Sequence, residues 1–177
     1  MANRVNMTAT TPAASAQFLR ENEIRRGSEL LFFAYSRVVR SVDERLGANS
    51  IGRAHHRALY FIGRHPDISV SELLAILSVT KQSLGRVLTE LEERGLVQAR
   101  VGDRDRRQRL LRLTDKGYAL DHELFSASRD IMAGAYAQAG QQAVSGFWAV
   151  LEGLIPDAER ARIHSWRENS VPPGERP

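Results

Sequence analysis

Two helix starts written close together, Ser69 with Glu72 and then Thr80, constrain this chain more than any other feature. In the first, a serine is followed three residues later by a glutamate, the reciprocal capping arrangement that satisfies the free amides of a helix start. Leu73, Leu74, Ile76 and Leu77 supply the buried side of a short helix, and Ser78 and Val79 turn the chain. Thr80 then caps a second helix, in which Leu84, Val87, Leu88 and Leu91 recur at three- and four-residue steps. One stripe is thereby committed to a core. The opposite face carries Gln82, Ser83, Arg86, Thr89, Glu90 and Glu93, so its charge changes sign along the helix. A helix entering a DNA major groove uses its first turns, and only the amino-terminal half of this one suits phosphates and base edges. Thr80, Lys81, Gln82, Ser83 and Arg86 are the expected contacts, with Glu90 and Glu93 facing away. Gly85 costs about 1 kcal/mol relative to alanine in a helix interior, a cost that close backbone approach to DNA would explain.

Arg94-Gly95 ends the second helix, glycine being the usual residue just past a helix end. Two short strands follow, Leu96 to Val101 with Val97, Ala99 and Val101 on one side, and Arg107 to Leu113 with Leu111 and Leu113 on one side. They flank a charged tip and read as a hairpin. Arg100, Arg104, Arg106, Arg107, Arg109 and Arg112 stand there against only Asp103 and Asp105. Taken alone, such a run is as readily a solvated surface. Directly after a capped helix-turn-helix it points to DNA, with the tip lying over phosphates or inserting arginine into a narrow minor groove. The Asp105 carboxylate matches the planar fork of Arg107 and is expected to hold it in place.

At these residues the chain resembles the MarR family of winged helix-turn-helix regulators. The resemblance is carried by S-x-x-E-L at Ser69 to Leu73, L-E-x-R-G-L-V at Leu91 to Val97, D-R-R at Asp105 to Arg107 and L-T-D-K-G at Leu113 to Gly117. Together they place helix, helix, wing and following helix in the family's order. The resemblance implies that Asp105 and Arg107 serve as the tip and brace of the wing. It also implies that a small molecule binds near the junction of the dimerisation helices with the DNA-binding lobe, where Tyr35 and His55 are the candidate pocket residues. Binding there would change the spacing or orientation of the two DNA-binding lobes and relieve repression.

The rest of the chain is read around that lobe. With 177 residues it can bury one good core or form one half of an intertwined dimer. A net charge of +4 and a pI of about 9.9 favour an anionic partner. The absence of cysteine excludes disulfides, thiolate zinc sites and cysteine-based redox sensing in this chain. No apolar run reaches the length of a membrane span and the first residues lack the apolar block of a secretion signal, so a cytoplasmic protein without membrane partners is expected. Lysine occurs only at Lys81 and Lys116, which makes the point charge at the start of the second helix conspicuous among arginines.

Glu23 to Leu46 is helical in pattern, with Leu31, Tyr35, Val38 and Val42 on a stripe that Leu30, Phe33 and Leu46 widen. So broad an apolar surface wants two neighbours. Gly47 to Ser50 breaks the helix, Asn49 or Ser50 is expected to cap the next, and Pro66 stops that one after His65. His55 and His56 are adjacent, hence about 100° apart on a helix, and cannot ligate one ion as an i, i+4 pair can. No Cys or His set completes a metal or catalytic site, so neither a cofactor nor an enzymatic function is expected. Beyond the wing, Thr114 caps a long helix that Ala139-Gly140 weakens. Val144, Phe147, Trp148, Leu151 and Ile155 continue the pattern to Pro156, and Asp157 restarts it through Ile163 and Trp166.

These patterns give a mainly α fold with a small β-hairpin wing: a winged helix-turn-helix lobe plus N- and C-terminal dimerisation helices. The expected divisions are a disordered arm at 1–17, a dimerisation helix at 18–47, the DNA-binding lobe at 48–117, dimerisation helices at 118–168 and a disordered tail at 169–177. A homodimer reading half-sites about one helical turn apart on a pseudo-palindromic duplex is the leading function. A sequence-tolerant architectural DNA binder is the alternative, and a winged helix used only for protein contacts keeps the fold without the function.

Overall fold

The computed structural model describes residues 17–102, 105–161 and 163. In chain order the elements are α1 (Glu21–Ala48), α2 (Arg53–Arg64), β1 (Ile68–Ser69), α3 (Val70–Leu77), α4 (Lys81–Glu93), β2 (Val97–Val101), β3 (Arg109–Leu113) and α5 (Asp115–Gly153). Contacts group the chain into two units, with the boundary inside α1 at Arg37.

In the unit from Val38 onward, the predicted caps at Ser69, Thr80 and Thr114 are in place. Ser69 Oγ accepts the Glu72 N–H at 3.2 Å, and the Ser69 N–H donates to Glu72 Oε2 at 2.8 Å. Thr80 Oγ1 accepts from Ser83 N and Thr114 Oγ1 from Gly117 N, each closing a helix start. Between α3 and α4 the tight turn places Ser78 in the left-handed region at φ 51°. Leu59, Ile62, Leu73, Leu84, Leu91, Leu111, Leu113 and Leu124 are fully buried, so α2, α3, α4, the sheet and the start of α5 share one core.

The sheet has a strand that the sequence reading lacked. β1 pairs antiparallel with β3, giving the order β1-β3-β2 in place of a two-stranded hairpin. The hairpin register runs from Val97 opposite Leu113 to Val101 opposite Arg109. Of the expected β2 side only Val97 is buried; Ala99 and Val101 are exposed because the wing reaches out past the core.

The start of α2 also differs from expectation. Its N-cap is Gly52, whose N–H donates to His55 Nδ1 at 3.2 Å, the return half of a capping box with an imidazole in the glutamate's place. Asn49 and Ser50 instead close α1. The Ser50 N–H donates to Gly47 O and the Ile51 N–H to Leu46 O, while Ser50 takes φ 53°, a Schellman ending with serine in the usual glycine position.

Near its carboxyl end α1 buries Val42 and Leu46. Of the rest of the expected stripe, Val38 is half-buried, and in the first unit Leu30, Leu31, Phe33 and Tyr35 are exposed within the single chain, as is Phe32. The expected weak point in α5 is a break, since Gly140 leaves helical geometry at φ 78°, ψ 164°. Helical backbone resumes at 157–161, and Trp166 lies outside the described residues, as do residues 1–16 of the expected arm and the whole of the expected tail at 169–177. Among the described residues no helix is long and apolar enough to cross a membrane.

Candidate nucleic-acid interface

The Schellman ending that closes α4 at Gly95, with its N–H on Glu92 O and the Leu96 N–H on Leu91 O, aims the chain directly into β2. Two sequence motifs meet there. Thr114 Oγ donates to Gly95 O at 2.7 Å, Lys116 Nζ donates to Arg94 O at 2.9 Å, and the Thr114 N–H donates to Leu96 O at 3.1 Å. The last turn of α4, the first residue of the wing and the first turn of α5 are therefore one hydrogen-bonded junction, which sets the angle between reading helix and wing. Lys116 is thus a cap for α4, and Lys81 stands outside this arrangement.

Along α4, Leu84, Leu88 and Leu91 are buried, while Thr80, Lys81, Gln82, Ser83, Gly85 and Arg86 are all exposed. A Cβ on Gly85 would meet nothing within 4 Å, so no protein contact asks for glycine there. Thr80 is mainly a cap: its hydroxyl donates to Ser83 Oγ at 2.9 Å and accepts the Ser83 N–H. Toward the carboxyl end two of the carboxylates are engaged within the chain, and Glu93 is exposed. Glu90 Oε2 lies 2.8 Å from His55 Nε2, and Glu92 accepts Arg109 Nη2 at 2.8 Å. Because His55 Nδ1 accepts from Gly52, the tautomer that fits carries its proton on Nε2 and gives it to Glu90.

The wing arginines fall into two groups. Arg100 Nε donates to Asp67 Oδ1 at 3.1 Å and Arg112 Nη2 to Asp67 Oδ2, so one carboxylate ties both strands at the wing's base. Arg109 is held by Glu92. Arg106 and Arg107 stand at the tip, exposed, and the Arg107 side chain is 95% accessible. The Asp105 brace works mainly on the backbone: Oδ1 accepts the Arg107 N–H at 2.9 Å, whereas Arg107 Nε is 3.5 Å away. Gly102 lets the tip fold tightly, its N–H on Gln108 O and a Cβ there only 2.8 Å from Asp105 O. Arg104 lies outside the described residues. A recess of about 340 Å³ between the start of α3, α4 and the wing brings Lys81 and Gly85 together with Arg107 and Gln108; Gln82, Ser83 and Arg86 open elsewhere on the same helix.

Asp67 is absent from the sequence reading and is the wing's anchor. Burial raises its pKa, but hydrogen bonds from Arg100 and Arg112, together with their charges, outweigh this and hold the carboxyl below its ordinary value. A depressed carboxylate stabilises the fold above its unfolded pKa of about 4 and loses that contribution as pH falls through the lower folded value. Asp67→Asn is therefore expected to cost about 1 kcal/mol at pH 7, an amount discounted for partial exposure. Denaturation of both proteins at descending pH should show the gap unchanged down to about pH 5 and closing below about pH 4.

Tyr35 is 68% exposed in the first unit, and His55 is committed to Gly52 and Glu90 in the second. Burial, the main cause in each case, pushes His56 and His65 below the ordinary histidine value, which suits neutral packed rings. The large cavity in the second unit lies elsewhere, between α2 and α5, where Tyr60, Tyr118, Asp121, Phe125 and Trp148 line about 960 Å³.

This geometry can be set beside known proteins. Residues 50–108 match the profile of the MarR family. The HTH-type transcriptional regulator PetP of Rhodobacter capsulatus is 49% identical over 143 residues, covering 81% of this chain and 86% of PetP. The chain belongs to the MarR family. Among solved structures, a MarR mutant from E. coli complexed with operator DNA is 25% identical, with a TM-score of 0.59 over 76% of this chain and 97% of the other. A MarR-family transcriptional regulator from Silicibacter pomeroyi shares the fold at a TM-score of 0.64 and 21% identity, over 80% of this chain and 93% of its own. Membership makes the chain a transcriptional regulator with a winged-helix DNA-binding fold.

Proposed function

We propose that this MarR-family chain acts as a homodimer on a pseudo-palindromic operator, as a repressor that a small molecule releases. Each α4 enters a major groove with Lys81, Gln82, Ser83 and Arg86, and each wing lays Arg106 and Arg107, with Arg104, over the neighbouring backbone or minor groove. The observation that carries the reading is the division of charge. The basic and polar start of α4 is exposed and adjoins Arg107 across a recess, while Glu90 is hydrogen-bonded by His55 and Glu92 is paired with Arg109. The likeness to an E. coli MarR mutant complexed with operator DNA supports DNA as the partner. Residues 48–117 form the DNA-binding lobe, and 18–47 with 118–168 supply the dimer contacts. Exposed Leu30, Leu31, Phe32 and Phe33 on one unit, and Phe147, Trp148, Val150 and Leu154 on the other, support that division.

The test is a titration of the purified protein against the DNA flanking its own gene and against a scrambled duplex, at two salt concentrations. A preference of roughly 10³-fold or more with a steep salt dependence is expected. Equal affinity for both duplexes would favour a sequence-tolerant architectural binder. Tight operator binding indifferent to salt would remove the wing from the interface.

A further inference from the structure

Side chains tie several elements of the second unit together at the start of α2. Asp43, near the end of α1, takes Arg53 in a two-pronged pair at 2.8 and 2.6 Å. Asn49, in the link to α2, donates to Arg45 O of α1 at 2.9 Å and to Glu123 of α5 at 3.4 Å, and its carbonyl accepts Arg94 Nη1 from the end of α4 at 3.3 Å. His55 completes the set. Its Nδ1 accepts the Gly52 N–H and its Nε2 donates to Glu90 of α4, with the imidazole 14% accessible and the carboxylate 50%, so water competes for the bond from one side only. A cap alone does not ask for histidine. Glutamate is the ordinary partner three residues beyond an N-cap, and its charge also suits a helix start. A glutamate here would close the start of α2 but set a second carboxylate against Glu90. A side chain that accepts at one end and donates at the other serves both partners, and a neutral imidazole does so from two atoms of one rigid ring.

What the contact with Glu90 adds is direction. α4 packs through Leu84, Leu88 and Leu91, and apolar burial, being non-directional, holds a helix down without closely fixing its rotation. Gln82, Arg86 and Glu90 follow one another at four-residue steps along one edge of α4. A turn of about 10° about the helix axis carries side-chain atoms about 5 Å out by about 1 Å, enough to spoil a hydrogen bond to a base edge. We infer that His55 is a positioning residue for DNA reading: by holding Glu90 it sets the rotation of α4, and with it the aim of Gln82 and Arg86 into the groove. The start of α2 is itself fixed from α1, because Asp43 holds Arg53 two residues before His55. The inference rests on the operator reading proposed above and adds to it a residue that acts through Glu90.

His55→Glu keeps an acceptor for Gly52 and turns the contact with Glu90 into a repulsion, and adding Glu90→Gln supplies a donor to the new carboxylate. The full-length proteins are titrated against the DNA flanking their own gene and against a scrambled duplex, with melting temperatures on the same samples to show that each variant is folded. The ratio of the two affinities is the readout, because an added negative charge weakens both duplexes together whereas a misaimed helix loses only the specific part. His55→Glu is expected to lower the ratio at least about tenfold, the scale of one lost base contact. Glu90→Gln alone still accepts from His55 and should leave the ratio within about threefold of the parent, and the double variant should return to the same range. A ratio unchanged in His55→Glu, or lowered and not restored by Glu90→Gln, would overturn the inference while the operator reading stands. A parent protein with no preference between the duplexes would remove the operator reading and this role with it. Should His55→Glu fail to fold, Glu90→Ala, at a half-exposed position, removes the same contact from the other side and is expected to lower the ratio by a similar factor, and an unchanged ratio there would overturn the inference equally.

Discussion

Gly117→Ala is expected to destabilise the fold by about 3 kcal/mol, the upper range for forcing atoms into a packed site, and to lower the melting temperature by roughly 10 °C at fixed protomer concentration. The reason is space. A Cβ at Gly117 would stand 2.0 Å from the Leu96 carbonyl oxygen and 3.0 Å from its carbon, both backbone atoms that no rotamer change can move. That same oxygen accepts the Thr114 N–H, and Gly117 N donates to the Thr114 hydroxyl, so relief by displacement would break the cap of α5 as well. Gly85→Ala is the control. It meets nothing within 4 Å and should stabilise α4 by up to about 1 kcal/mol. Thermal denaturation of the two variants beside the parent protein checks both signs. Equal stability for Gly117→Ala would mean that the junction between wing and α5 is looser than its hydrogen bonds indicate.

The second large effect is on DNA. Arg107→Ala should leave the melting temperature within about a degree of the parent, because a 95% accessible side chain supports little. Operator affinity should fall by roughly 10- to 100-fold, and the slope of log affinity against log salt should shrink by about 2, one counterion per half-site. Arg112→Ala, from the same run of arginines, should behave in the opposite way. It releases one strand of the wing from Asp67, so it should lower stability while changing the salt slope little. Filter binding across a salt series, with denaturation of the same samples, separates the two groups. If both arginines lowered the slope alike, the division between tip and base would be wrong.

What the sequence made legible was local. The caps at Ser69, Thr80 and Thr114, the glycine ending at Gly95 and the break at Gly140 each depend on residues within one turn, so spacing alone exposes them. Less local features stayed hidden. β1 spans only Ile68–Ser69, too short for any alternation to show, and exists because β3 offers it an edge. The start of α2 was misplaced because His55 caps Gly52, a task usually given to glutamate or glutamine, while Ser50 serves the preceding helix. The arginines could not be sorted, since Asp67 lies 33 residues from Arg100 and 45 from Arg112. The α2 to α5 cavity gathers Tyr60, Asp121 and Trp148 from separate helical stretches, and no periodicity marks them as neighbours.

The junction at Gly95, Thr114 and Lys116 also says where this reader can be cut. A graft meant to carry this winged-helix unit to another scaffold would conventionally stop at the end of the wing, Leu113. Such a segment would leave behind the two side chains that hold Gly95 and Arg94, and with them the angle between helix and hairpin. The transplantable cassette closes at Gly117, four residues later, and the recipient's own helix must supply a glycine-sized gap against Leu96 at that position.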